Sequence, residues 1–208
     1  MSAALATAPR TDDVYTFEDL CCLVPDGQKA DLLDGVIYMA SPDMLSADEL
    51  TGFVRFVVDG YASARGAGKV VGSRYAFRLT DLYSPEPDVA FISRERNQVL
   101  GEQAGRGAPD IAVEIVSRES RDRDYGIKKR TYEAAGVREY WIVDHLQSRV
   151  EFHRLHGDRY QLVPLERNRL FRSEALPGFW LDVEWLLRKP LPNAYDCLQQ
   201  ILAGEPPA

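Results

Sequence analysis

Cysteine is scarce in this chain. Of 208 residues three are Cys, an adjacent pair (Cys21, Cys22) and the distant Cys197. Three such positions build neither a disulfide framework nor a four-ligand zinc cage, and they point to a reduced, cytoplasmic setting. Histidine is as rare, and His145, His153 and His156 keep no metal spacing beyond a His153/His156 pair across a strand end. No stretch approaches the roughly 18 uninterrupted apolar residues that a membrane span requires. The first 13 residues carry one Arg and no apolar run, so they read as a disordered tail and not as a signal peptide. Repeats and low-complexity segments are missing too. So is a phosphate-cradling glycine loop, because GAGKVVG at 66–72 lacks the P-loop spacing, and neither a serine elbow nor a Cys/His dyad is evident.

What is present suits one soluble domain. A composition of 45% hydrophobic and 27% charged residues can bury a core, which removes disordered and fibrous classes. We expect a single domain over 14–187 and a C-terminal tail with a short helix over 188–208. Net charge is −7, which argues against a simple electrostatic nucleic-acid binder. The average hides a gradient: residues 1–60 hold three bases against 11 acids, whereas Arg118 to Arg130 holds six bases against three acids.

Hydrophobic spacing predicts the elements. Val14 to Leu23 reads as a short helix with Thr16 as N-cap and Asp19 three residues on. Ala30 to Met39 reads as two short strands around Asp34-Gly35. Ser46 to Glu49 has the form of a capping box, and Leu50, Phe53, Val54, Val57, Val58 and Tyr61 keep helical spacing, so a helix is expected over 47–65. Lys69 to Leu79, Pro87 to Ser93 and Pro109 to Ser117 read as strands, the latter two opened by Pro-Asp. Asp122 to Ala135 reads as a helix ended by Gly136, and Glu139 to Asp144 as a buried strand. A hairpin (149–155 with 159–165) and a helix over 194–202 follow. The order gives an α/β domain with a mixed sheet.

Glu114 is the strongest chemical signal. It lies within Ile111-Ala112-Val113-Glu114-Ile115-Val116, and an ionised carboxylate in so apolar a strand needs a cation or several donors. The bland alternative is an ion pair with an arginine of the basic segment. Asp110 shares the face of Glu114, but four residues at about 3.3 Å each separate the two by roughly 13 Å, too far to share one ion. Asp88, at the start of the neighbouring strand, is the better second ligand; a turn-capping role is its ordinary explanation. Lys128 stands four residues after Asp124 and four before Tyr132, on one helical face. A lysine beside two carboxylates could orient a water and stabilise charge on a phosphate, although most helix lysines are merely solvated. Tyr140 and Trp141 read as core.

In Pro87-Asp88, Pro109-Asp110 through Glu114 to Ser117, Asp124-Tyr-Gly-Ile-Lys128 and Tyr132 to Asp144, the chain resembles the Uma-two family of restriction-endonuclease-like proteins. Leu32 to Gly35, Ser41-Pro42 and Ser84 to Asp88 extend the likeness over roughly 14–180. The resemblance implies the PD-(D/E)XK nuclease fold, whose αβββαβ core matches the order predicted for 47–144. In that superfamily an Asp, a Glu and a Lys two residues beyond the Glu surround magnesium. Here Asp88 and Glu114 would be the metal ligands, Val116 occupies the lysine position, and Lys128 on the following helix would replace it. The first helix carries Ala47, Asp48 and Glu49 where many relatives have a His, and Asp31 stands where they have Glu. The expectation is therefore a magnesium-dependent endonuclease (manganese as substitute) acting on DNA through Asp88, Glu114 and Lys128, with a homodimer as its assembly. A non-catalytic nuclease-fold module, or an enzyme of small phosphoesters, are the competing readings.

Overall fold

The computed structural model describes residues 14–167 and 169–204; the tail expected over 1–13 lies outside them. Helix α1 (Phe17–Leu23) opens with the expected reciprocal cap: Asp19 N donates to Thr16 Oγ1, and Thr16 N donates to the Asp19 carboxylate. Strands β1 (Ala30–Leu33) and β2 (Val36–Met39) form a hairpin through Asp34 and Gly35. Both turn residues have positive φ (52° and 70°), the conformation for which an Asp-Gly pair is suited.

Helix α2 (Leu45–Arg65) buries the predicted stripe from Leu50 to Tyr61. It starts before residue 47, with Met44 as an N-cap that makes no side-chain cap bond, so the Ser46–Glu49 capping box does not form. Ser46 falls inside the first turn, and its hydroxyl turns to His145 Nε2 at 3.4 Å. Strand β3 (Gly68–Gly72) follows, then β4 (Phe77–Arg78). One unbroken strand over 69–79 is thus not what forms. Arg74 takes a positive φ of 74° that ends the ladder, and β4 leaves the main sheet to pair in parallel with β6 (Gly105–Arg106). Between them lie β5 (Val89–Ser93) and a 3₁₀ turn (Arg94–Val99).

The remaining core elements are β7 (Ile111–Ile115), the helical stretch Arg121–Ala135, β8 (Glu139–Asp144), β9 (Arg149–His156) and β10 (Arg159–Leu162). The stretch consists of α3 (Arg121–Arg123), one π-helical turn (Asp124–Lys128) and α4 (Lys129–Ala135), stopped by Gly136. The six-stranded sheet runs β10-β9-β8-β7-β5-β3, with β7 and β8 parallel and every other neighbour antiparallel. Last come β11 (Leu170–Arg172), β12 (Trp180–Asp182), α5 (Val183–Leu187) and α6 (Ala194–Ala203). Helix α6 packs on α2, where a Cβ at Gly60 would meet Leu198 Cδ2 at 2.4 Å.

Strand alternation splits the sheet into two environments. Ile111, Val113 and Ile115 of β7 join Trp141 and Val143 of β8 in a core beneath α2 and α6. Ala112 and Val116 face the other way, with Tyr140, Ile142 and Tyr132 of α4. Glu114 has the parity of this second face. Trp141 anchors the first, edge-on to Phe152 and Phe171 and stacked on Phe179; truncating so buried an aromatic costs roughly 3–5 kcal/mol.

Candidate active site

Asp88 and Glu114 meet through strand register. Val89 lies opposite Val113, and the ladder carried one residue further sets Asp88 against Glu114. Asp88 N donates to Val113 O at 3.0 Å, while Ile115 N donates to Asp88 Oδ2 at 2.7 Å. These two bonds hold the Asp88 carboxylate beside the strand end, on the face that also carries Glu114.

The helix supplies the second part. From the π turn and α4, Lys128 Nζ reaches Glu114 Oε1 at 2.8 Å, and the Tyr132 hydroxyl donates to the same oxygen at 2.9 Å. Lys128 also meets Asp31 Oδ2 at 3.0 Å and stands 3.9 Å from Asp124. The cation that Glu114 requires is therefore a lysine and not one of the arginines. Strand β1 supplies the third part. Its backbone is tied to the segment before Asp88 by Leu32 N→Ser84 O and Ser84 N→Leu32 O, with Glu86 N donating to Asp31 Oδ1. Period-2 alternation then sends Lys29 and Asp31 the same way, around the buried Ala30. Asp31 reaches Lys128, and Lys29 Nζ pairs with Asp88 Oδ1.

Four carboxylates (Asp31, Asp88, Glu114, Asp124) thus surround two ammonium groups (Lys29, Lys128), a formal balance of −2. Burial opposes charge on both lysines, but the acids outweigh it, so both are held above the ordinary lysine value. The surplus falls on the acids. Burial, then repulsion from Asp124 and Asp88, pushes Glu114 up to about 8 against the pull of Lys128. Asp124 rises to about 6 and Glu86 to about 7, again chiefly through burial.

A cleft of about 620 Å³ opens onto this cluster, with Lys29, Asp31, Asp88, Glu114 and Lys128 among its lining. Arg74, Arg118 and Arg123 reach its walls, Arg123 lying 4.9 Å over the Tyr38 ring, and Asp43, Asp48 and Glu119 line it too. Glu114 Oε1 is taken up by Lys128 and Tyr132, so Oε2 is the oxygen left to the cleft. Among the described residues no three His, Cys, Asp or Glu side chains form a cation site. Two adjacent carboxylates in a surplus of negative charge nevertheless fit a hard, oxygen-seeking ion such as magnesium, which keeps most of its waters.

Residues 14–184 match the family described as Uma2, "Putative restriction endonuclease". The chain belongs to the Uma2 family. No curated protein matches it. Among solved structures it is similar to a "putative nuclease belonging to DUF820" from Anabaena variabilis, with a TM-score of 0.68 at 14% identity. The alignment covers 83% of this chain and 97% of that one, and at that identity it establishes the fold. The mixed sheet flanked by helices, expected from element order and resemblance alike, is the architecture found.

Within this Uma2 chain, Asp88, Glu114 and Lys128 come together, as the resemblance implies. Asp110 does not join them. It is fully buried at the other end of β7, where Ser93 N and Arg96 Nη1 donate to it, a structural clamp. Glu49 is exposed on α2 and stays off the cleft wall. His153 is buried against Glu151, whereas His145 does line the cleft. Lys29 was not legible as a site residue. Its only signal was a charged pair, Lys29 and Asp31, alternating with apolar residues where a strand begins. No helix among the described residues is long and apolar enough to cross a membrane.

Proposed function

We propose that this Uma2 protein is a metal-dependent endonuclease that hydrolyses DNA phosphodiesters. The observation that carries the reading is the convergence of Asp88, Glu114 and Lys128 at the floor of one cleft. Asp88 and Glu114 would hold a magnesium ion, with the carbonyl near Ile115 and waters as further oxygen ligands. When bound, that ion supplies Lewis-acid polarisation of a phosphodiester and a more acidic attacking water. Lys128 balances the charge of Glu114 and fixes its rotamer. Tyr132 donates to the same oxygen and leaves the other one facing the cleft. Arg118 and Arg123 would meet the DNA backbone. Homodimer formation is part of the proposal, and light scattering in solution measures it.

The test is magnesium-supported cleavage of supercoiled and single-stranded DNA by wild type and by Glu114→Gln, which keeps shape and removes charge. Wild-type cleavage lost in the variant supports the assignment; equal rates in both overturn it. One observation favours the non-catalytic alternative: each of the two carboxylates already holds a lysine. That reading expects manganese titrated into the folded wild type to produce no binding heat.

A further inference from the structure

The two lysines of the site are not equivalent. Lys128 is 2% exposed and is gripped by Asp31, Glu114 and Asp124, while the Tyr132 hydroxyl shares its Glu114 oxygen. Moving it would strand three buried acids, so it is a fixed part of the floor. Lys29 has one acidic partner, Asp88, and its side chain is 20% exposed on the cleft wall. Apart from that pair it is held through the backbone: its carbonyl accepts from Ala40 N at 3.0 Å, and the following Ala30 N donates to Glu86 Oε2. Its four-carbon stem can therefore swing without disturbing the strand. The oxygen it covers, Asp88 Oδ1, is the one left to the cleft, since Ile115 N takes the other.

We infer that Lys29 is an exchangeable counter-ion: it holds Asp88 Oδ1 until a divalent cation arrives, then swings into the cleft to contact a substrate phosphate. The inference rests on the metal-binding reading above and extends it to a second lysine. Two charges explain the exchange. A divalent ion and an ammonium within hydrogen-bond reach of one carboxylate oxygen repel each other, and only Lys29 has solvent to move into. Displaced, it stands on the wall shared with Arg74 and Arg118, where a mobile point charge suits a phosphate oxygen. Lys29 is thus a positioning residue for the ion and a contact residue for the substrate.

The two roles move in opposite directions on mutation, which a merely structural lysine would not do. Manganese is titrated calorimetrically into wild type, Lys29→Met, Lys29→Gln and Lys29→Arg, with circular dichroism to confirm folding. Removing a charge-assisted competitor should tighten manganese binding about fivefold or more in Lys29→Met and Lys29→Gln, and leave Lys29→Arg near wild type. Cleavage by the two neutral variants should nonetheless fall at least about tenfold. Two neutral variants are used so that one misfolded protein does not decide the result. Unchanged or weaker manganese binding in a folded neutral variant overturns the exchange, while the metal-binding reading stands if Glu114→Gln abolishes binding. If the wild type binds no manganese, both fail together.

Discussion

Glu114 gives the sharpest quantitative test of this site. Its carboxyl is pushed up to about 8, chiefly because it is buried, and Lys128 offsets only part of that. A carboxyl raised that way keeps much of its proton near neutral pH and gives it up as the solution turns alkaline. A divalent cation needs the carboxylate, so the proton is its competitor. Magnesium uptake at pH 7 should therefore release close to one proton, and uptake at pH 9 almost none. Apparent affinity should climb by up to about tenfold per pH unit while Glu114 is protonated and level once it has ionised, each decade corresponding to about 1.4 kcal/mol. The sign follows from the direction of the shift: an acid raised in the free protein penalises metal binding below its pKa. Calorimetric titration at each pH in two buffers of different ionisation enthalpy reads the proton count directly. If metal binds wild type at pH 7, fails to bind Glu114→Gln, and shows no buffer-dependent heat, Glu114 is already ionised beside Lys128. The charge argument for this site would then be wrong.

Three further outcomes follow from the same contacts. Lys128→Met removes the shared partner of Asp31, Glu114 and Asp124, and should cost about 3–5 kcal/mol in urea unfolding, with Lys128→Met/Glu114→Gln recovering part of it; a loss below about 1 kcal/mol would refute the fixed-floor role. Glu86, pushed up to about 7 by burial, contributes stability that is complete below its ordinary value near 4.5 and is lost as pH rises through 7. Glu86→Gln should therefore gain about 1–3 kcal/mol on wild type at pH 8 and almost nothing at pH 4.5, measured by thermal unfolding. Arg118→Ala and Arg123→Ala should each weaken DNA binding and reduce the salt slope by about one, read from filter-binding isotherms at several salt concentrations; unchanged slopes would take both residues off the backbone path.

Much of this arrangement is written in local pattern. The helical spacing from Leu50 to Tyr61, the Asp34-Gly35 turn and the apolar β8 each have one physical solution, and the chain adopts it. Glu114 was conspicuous because a charge within five apolar neighbours demands a partner. What stayed hidden depends on contacts between distant segments. No periodicity tells that Arg74 breaks the strand after Gly72, because the break is a matter of one residue's φ. The role of Asp31 depends on β1 lying beside 84–86, a contact made through the single bridge Leu32–Ser84 and the bond from Glu86 N to the Asp31 carboxylate. Lys29 was invisible for the same reason. The capping box failed because α2 already starts at Leu45, which leaves Ser46 inside the first turn, where its hydroxyl meets His145, a residue 99 positions away.

The position of the lysine has its own structural cause. Val116, two residues beyond Glu114, is fully buried with Ala108, Ala112, Tyr132, Val137 and Tyr140. A lysine there would place its stem and charge in that apolar cluster, at the cost of the packing that seats the helix on the sheet. The helix brings the cation instead. Asp124, Lys128 and Tyr132 recur at intervals of four, all nearly inaccessible, and the turn between the first two is π-helical. Such a turn is wider than an α turn and disturbs the regular carbonyl pattern at a cost that needs compensation. Here the Tyr140 hydroxyl, from the neighbouring β8, donates to the Asp124 carbonyl at 2.9 Å, and Ser120 Oγ donates to the Asp124 carboxylate. Tyr140 is thus core by burial and a brace by its hydroxyl. The widened turn, the tyrosine that braces it and the valine that fills the strand position form one solution: they deliver a lysine to Glu114 from the helix and keep the second face of the sheet dry.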